Sequence, residues 1–575
     1  MKVQFSKLFS AVVIATVLLA PSMRLAAQSA MLAEMDFDPA KNGFSFKNYE
    51  NNYNTWEDDL DKTDLIRMFG IKAVCKNGTT AKTCVEHAST RRWAEERLEQ
   101  LEIGHCEGMS VACFRLGLGL PFKGKRTPGQ LQPGAKQTFD IKFDQAIQNY
   151  ISYYSITQVL PEVRKKTEAT AAEGPIAIVK KLIDGIKSHT DTFLLGMRKY
   201  DPVSGRISDG HAVSPFKVED TGEQYKIHVY DNNFPGKTRF IFVSKNAAED
   251  WTFASKADGK SDYVGKKSTK TLDMTATSWR DGLCFASSFE RDLKTATGCG
   301  DSLITAAHSP NVMFRNASFA PQQPPVEHAE FFLTGDGDML VIDADKRKLG
   351  YDSEANRYYR EIPNASTTLN NGGLGYNVPN FAIPYELEDD EYKIVFSGKY
   401  LDDESDFDFV FSAPGFTVGL AGIKLDPLET LTATISYDGE EISFTSSAKD
   451  SETPEIFFAF DDDDDLEASY LTEIGGFQIS RGKTLKFNFD FENGKLFMSD
   501  DDGNEDNYDI ELIRINGDGT EQVYKLNDLN IGKADRYEMD FGDWDGEGEM
   551  CFKDDEDGDG FDDEECTEET SDGKE

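Results

Sequence analysis

Three short stretches carry residue types that could act together on a carbonyl group. The first, Gly104-His105-Cys106-Glu107-Gly108-Met109-Ser110, sets a cysteine between a polar amphipathic run and an almost wholly apolar one. This spacing predicts that Cys106 opens a helix, where the positive end of the macrodipole favours a thiolate. The second, Asp209-Gly210-His211-Ala212-Val213, supplies an imidazole, and the third, Val229-Tyr230-Asp231-Asn232-Asn233, supplies a carboxylate and two amides. A free thiol titrates near about 8.5, so a neighbouring base must help it act at neutral pH. A further group must fix the tautomer of that base, and donors must face the oxyanion that forms. The Cys106 backbone N–H is one candidate donor; Gln100, six residues upstream, is another.

The pairing of base and orienter follows from a hairpin. Strands from His211 and up to Asp231 flank Glu219-Asp220-Thr221-Gly222-Glu223, a turn-like segment. Centred on Thr221, that hairpin sets His211 opposite Asp231, and facing residues of an antiparallel pair point to one side. A slip of one residue offers Asn232 instead, and Pro215 inside the first strand implies an edge or a bulge. A zinc site of His105, Cys106 and His211 competes, but no CxxC or HxxxH spacing supports it. His105 and His228 otherwise read as structural.

The elements that must position these groups are legible on either side. Thr63 to Phe69 reads as a short helix stopped by Gly70, and Ser89 to Glu102 as a longer one carrying the pairs Arg91–Glu95 and Arg92–Glu96. Cys106 to Leu116 is apolar all round, which marks a buried helix. Phe143–Val159 and Ile176–Ile186 read as two more. The period then changes to that of strands at Thr192–Met197, His211–Val218, Tyr225–Tyr230 and Arg239–Val243. Helices followed by an antiparallel sheet describe an α+β domain over 31–260.

The chain has 575 residues, too many for a single core, and a formal net charge of −42. That charge disfavours nucleic acid and anionic membrane surfaces as partners. Residues 1–30 read as a secretory signal: Lys2 and Lys7, an apolar core from Leu8 to Ala20, and small residues at Ala26-Ala27-Gln28-Ser29-Ala30. The core is too short to favour a membrane span, and no later stretch is long and apolar enough. The expectation is a secreted, periplasmic or cell-surface protein without membrane insertion.

Export permits disulfides. Cys75/Cys84, Cys284/Cys299 and Cys551/Cys566 form three local pairs, leaving Cys106 and Cys113. Seven helical residues separate that last pair by about 10 Å, whereas a disulfide requires Cα atoms closer than about 7 Å. Cys113 therefore reads as a buried apolar residue and Cys106 as the free thiol.

Beyond a connecting segment, 261–324, the pattern is β throughout. Tyr392/Ile394/Phe396, Leu431/Ala433/Ile435/Tyr437 and Leu485/Phe487/Phe489/Phe491 alternate with polar residues, and Asp438-Gly439 signals a hairpin. Two sandwich-like modules are expected, 325–422 and 423–550, with the run Asp461–Asp465 as a solvated loop. The tail, 551–575, holds Asp555-x-Asp557-x-Asp559-Gly560-x-x-Asp563. Alternating carboxylates around a glycine turn suit one Ca²⁺.

The three blocks around Cys106, His211 and Asp231 resemble those of papain-like cysteine peptidases, closest to exported bacterial members and bacteriocin-processing peptidases. The resemblance covers roughly residues 40–260. It implies a papain-like fold, a thiol nucleophile at Cys106 acting through a thioester, a base at His211, an orienter at Asp231 and a glutamine oxyanion donor at Gln100. It further implies a peptide or protein substrate. The surroundings of Cys106 are not the Cys-Gly-Ser-Cys-Trp of plant and lysosomal members, so transglutaminase-like or amidase chemistry stays open. Glu330–Asp352 with Glu391–Ile394 resembles a β-sandwich accessory module of exported bacterial proteins, suited to contacts at a cell surface or extracellular matrix. The tail resembles an EF-hand or thrombospondin type-3 calcium loop, with Cys566 where an EF-hand has glutamate. The rival reading is a non-catalytic calcium-binding surface or adhesion protein whose papain-like domain is a relic.

Overall fold

A computed structural model describes residues 29–50, 60–120, 123–189, 191–281, 328–385, 390–446, 454–461, 468–500, 506–531, 536–542, 550–554 and 563–567, with a few single positions between them. The chain is multidomain and α+β, the described residues of its second half forming strands and their connections. The first half sets helices against an antiparallel eight-stranded sheet, and the second stacks a nine-stranded sheet on an eleven-stranded one. No helix among the described residues is long and apolar enough to cross a membrane.

In the first half, α1 (Ala88–Glu99) runs into a 3₁₀ turn, Gln100–Ile103, and then α2 (Cys106–Leu118) begins. Gly104 breaks the path with a φ of 106°, a value that favours glycine, and so turns one helix into the next. α2 is buried on every side from Cys106 to Leu116, as its composition requires, between helix Gln145–Ile156 and the sheet. A helix over Pro161–Glu173 also forms, where the polar sequence gave little periodic signal.

The sheet strands that matter are β1 (Phe193–Tyr200), β2 (Ile207–Asp220) and β3 (Gln224–Tyr230). The sheet does not stop near residue 260: Leu272–Ala276 pairs with Phe193–Met197 at its edge, and Arg280 reaches back to Glu107. Part of the expected connecting segment thus belongs to the first domain.

The second half differs from two modules in series. Strand Phe416–Leu425 crosses the expected boundary, pairing with Ser405–Ala413 on one side and Glu455–Asp461 on the other. The facing residues of both sheets, from Ala329 to Phe552, form one continuous core. Alternation along a strand reveals which side is buried but not which sheet the strand joins.

The halves meet through charge as well as apolar area. Arg97 and Arg164 both pair with Glu330, at 2.7 and 3.2 Å, all three being almost fully buried. Trp93 Nε1 donates to the same carboxylate at 3.1 Å, and the Arg97 guanidinium lies 3.5 Å from the Phe332 ring centroid. Asp461, expected in a solvated loop, is buried here: it takes hydrogen bonds from Ala88 N–H and Ser89 Oγ at the start of α1. This interface fixes the nine-stranded sheet against the first domain. Between β4 (Ser366–Leu369) and β5 (Pro379–Pro384), a loop of that sheet enters the first domain.

Cys75 and Cys84 are disulfide-bonded, and Cys106 and Cys113 are free. Cys551 is also disulfide-bonded and faces Cys566 across the terminal strand pair. Cys284 and Cys299 lie outside the described residues, as does the expected signal segment up to residue 28.

Candidate active site

Cys106 is the first residue of α2. Its thiol donates to the Asn371 carbonyl at 3.0 Å and accepts from the Ala212 N–H at 3.2 Å. The side chain is fully buried. Burial pushes its pKa well above the usual thiol value, and the negative charges of Glu107, Asp209 and Asp231 push further; the Ala212 N–H opposes them. In this closed site burial outweighs the one opposing donor.

His211 lies on β2, and its Nε2 sits 2.9 Å from Asp231 Oδ1. The contact forms in a register different from the simple hairpin. Asp220 pairs with Tyr225, a bulge intervenes between Pro215 and Lys217, and Ser214 pairs with Tyr230. His211 itself faces Met197 of β1. Asp231 lies just past β3, where the chain turns and the Asn233 N–H donates to Asp231 Oδ1 at 3.0 Å. Proline lacks the N–H that an unbroken ladder needs, which accounts for the irregularity beside it.

The other ring nitrogen, Nδ1, has no hydrogen-bond partner among the described residues. A Cβ placed on Gly373 would lie 2.4 Å from it and 3.1 Å from Cys106 Cβ. The imidazole and the cysteine therefore converge on one point of the chain, from β2 and from α2.

Asn232 does not face His211. Its Nδ2 reaches Cys106 O at 2.9 Å, Ser110 Oγ at 3.1 Å and Ala212 O at 3.2 Å. It ties the first turn of α2 to β2 and so fixes the distance between the elements that carry Cys106 and His211.

Gln100 is buried near the site, but its Nε2 donates to Leu333 O at 2.5 Å and to Asn380 Oδ1 at 3.2 Å. Its Oε1 accepts from Arg97 and from Asn370. The donors of Gln100 thus point into the β half. A different amide, that of Asn48, donates beside Cys106. Asn48 Oδ1 accepts from the His105 N–H at 2.8 Å, which orients Nδ2 the other way, onto Gly372 O at 2.7 Å. The Cys106 N–H points at the same oxygen, at 3.4 Å. Nothing in the spacing singled out Asn48, which sits in a loop far upstream and acquires its place only through the fold.

His105 stacks on Tyr49 at 4.1 Å, with Nδ1 2.9 Å from Tyr49 O, so its ring is held away from a shared metal with Cys106. His228 pairs with Glu219 at 3.2 Å. No cluster of three or more metal-binding side chains occurs among the described residues. Of the expected calcium ligands, Asp555, Asp557 and Asp559 lie outside those residues. Asp563 begins the last strand, paired with Asp554, so the two strands frame the segment between them.

Beside the cleft is a cavity of about 780 Å³ between the two halves, lined by Glu107, Arg164, Arg198, Arg280, Arg360 and Asn371 among others. Comparison with protein-family models, with curated proteins and with solved structures finds no match for this chain.

Proposed function

We propose that this protein is an exported thiol hydrolase of the papain-like class that cleaves peptide or related amide bonds. Cys106 attacks, His211 takes and returns the proton through Nδ1, and Asp231 holds the ring by Nε2. The Cys106 N–H and Asn48 receive the oxyanion, Asn48 taking the part that the resemblance implied for Gln100. The observation that carries this reading is the convergence of Cys106 and the unpartnered His211 Nδ1 on one backbone position, with His211 Nε2 2.9 Å from Asp231. A buried imidazole held on one side by a carboxylate and free on the other suits a general base. The bonded Cys75–Cys84 pair fits an oxidising compartment outside the cytoplasm.

The sequence of events follows from these positions. Transfer of the thiol proton to His211 yields a thiolate–imidazolium pair, which Asp231 stabilises. The thiolate adds to the substrate carbonyl, His211 delivers its proton to the leaving amine, and a thioester remains. Water activated by the same nitrogen then hydrolyses it.

The buried state of the thiol favours a second reading, a non-catalytic binding protein. Labelling with a thiol-directed epoxide, together with hydrolysis of a mixed peptide pool, separates the two. The hydrolase reading expects labelling at Cys106 and loss of peptide hydrolysis in Cys106→Ser. A cleft-opened protein, Gly373→Ala, that is neither labelled nor active would leave the binding reading standing.

A further inference from the structure

The cleft is filled by the chain itself. Loop Asn370–Leu374, which joins β4 to β5 of the β half, passes between the start of α2 and β2. Its backbone is bound along its length. Asn371 N–H donates to Gln158 Oε1 at 2.7 Å, and Gly373 N–H donates to Gly210 O at 2.9 Å. Gly373 O accepts from Asn233 Nδ2 at 3.0 Å. Asn371 Nδ2 holds Glu107 at 3.0 Å.

The two glycines are dictated by the walls. A Cβ on Gly372 would lie 2.2 Å from Ile103 O, and one on Gly373 would lie 2.4 Å from His211 Nδ1. Gly373 also has a φ of 83°. Only a backbone without side chains passes between the base and the 3₁₀ turn.

The Gly372 carbonyl is the one whose oxygen takes both Asn48 Nδ2 and the Cys106 N–H. The next residue lies against the free imidazole nitrogen and Cys106 Cβ, and Cys106 Sγ lies 3.0 Å from the carbonyl oxygen of the preceding residue, Asn371, so the thiol sits beside this stretch of backbone. Donors on the carbonyl, a base beside Gly373 and a thiol at the neighbouring residue are the parts that acyl transfer needs.

We infer that the first substrate of Cys106 is this chain's own Gly372–Gly373 bond, cleaved in cis, and that cutting it opens the cleft. This rests on the thiol-hydrolase reading. Sγ bonds to the Gly372 carbonyl carbon, the bond to Gly373 N breaks, and the thiol proton passes through His211 to the leaving amine. Water then cleaves the thioester, leaving a carboxylate at Gly372 and an amino terminus at Gly373 and regenerating the thiol. No oxidant or other co-reactant enters. The cut falls between adjacent strands of one sheet, and strand His328–Leu333, before it, pairs with two strands after it. The two pieces therefore stay assembled and separate only on denaturation.

The test follows the full-length chain at neutral pH by intact mass under denaturing conditions and by amino-terminal sequencing. The expected result is conversion to two pieces, one ending at Gly372 and one starting at Gly373. The first-order rate should not change with protein concentration. Cys106→Ser should slow the conversion at least a hundredfold while unfolding within a few degrees of wild type, and Gly373→Ala, whose Cβ cannot stay beside His211, should slow it likewise by undocking the loop. A rate proportional to concentration, or an equal cut in Cys106→Ser, overturns the inference. A wild-type chain that stays whole, while Gly373→Ala hydrolyses added peptides through Cys106, also overturns it but leaves the hydrolase reading intact. If Gly373→Ala is inactive on added peptides as well, both readings fall.

Discussion

Asn48 Nδ2 lies 2.7 Å from Gly372 O, the same oxygen that the Cys106 N–H reaches at 3.4 Å. An amide side chain and the Cys106 backbone thus share one acceptor. Removing one such donor costs roughly 10²–10³ in kcat. Asn48→Ala in the cleft-opened Gly373→Ala background should show that loss with a much smaller change in KM. Gln100→Ala should instead lower thermal stability and leave kcat within a few-fold, because its donors serve Leu333 and Asn380. Steady-state kinetics and thermal unfolding of both variants check the assignment; a larger kcat loss in Gln100→Ala would reverse it.

Asp231 and Asn232 are neighbours with different work. Asp231→Asn keeps the shape but loses the charge that steadies His211, and kcat should fall by about 10²–10⁴ with little change in unfolding temperature. Asn232→Ala frees three acceptors at the α2–β2 junction. It should destabilise the fold by about 1–3 kcal/mol. Denaturant titration beside kinetics distinguishes the two patterns.

Reactivity of the thiol reports on the loop. With the Cys106 pKa raised by burial, alkylation by iodoacetamide should be slow in the intact Cys106 protein at neutral pH and climb steadily as pH rises. Gly373→Ala should speed it at least tenfold and move the inflection to lower pH. Cys113, whose thiol burial pushes up to about 12, should stay unlabelled in both. Peptide mapping after labelling reads the two sites separately.

The buried carboxylate at the junction of the halves ties stability to acid. Burial alone would raise the pKa of Glu330, but Arg97, His328 and Arg164 outweigh it and hold the group well below the usual range. The unfolded carboxyl titrates near about 4.3. Its stabilisation is therefore complete above that pH and is lost as pH falls through the depressed folded value. Glu330→Gln should destabilise the chain by about 3–5 kcal/mol at pH 7, leaving two buried arginines short of a partner, and should flatten the acid limb. Denaturation midpoints across pH 2–7 test both expectations.

The tail should bind one Ca²⁺ through Asp555, Asp557, Asp559 and Asp563 without affecting turnover at Cys106. Calorimetry on the full chain should record one site that the double change Asp557→Asn, Asp559→Asn removes. Chelation should raise protease sensitivity after Met550 alone. Absence of heat at millimolar calcium would count against the loop.

Much of the first half was legible because its signals are local. The apolar run after Cys106 gave α2, alternation gave β2 and β3, and local spacing gave the Cys75–Cys84 bond. The His211–Asp231 contact was reached through a register that the bulge beside Pro215 changes; the side chains meet because the chain turns just after Tyr230. Asn48 and Gly372 were not legible. Each sits in an irregular stretch whose meaning comes from a partner hundreds of residues away. The merging of two expected modules into one sandwich was hidden for a related reason. A strand's pattern carries its facing but not its neighbours.

The cover of the site lies downstream of the site. A chain emerging amino-terminus first completes α2, β2 and the sheet edge at Ala276 long before Asn370 exists. The residues that cover the thiol are therefore made last, and they reach it only with the β half docked through Arg97, Arg164 and Glu330. On the proposed reading, latency is imposed by the last step of folding rather than present at its start.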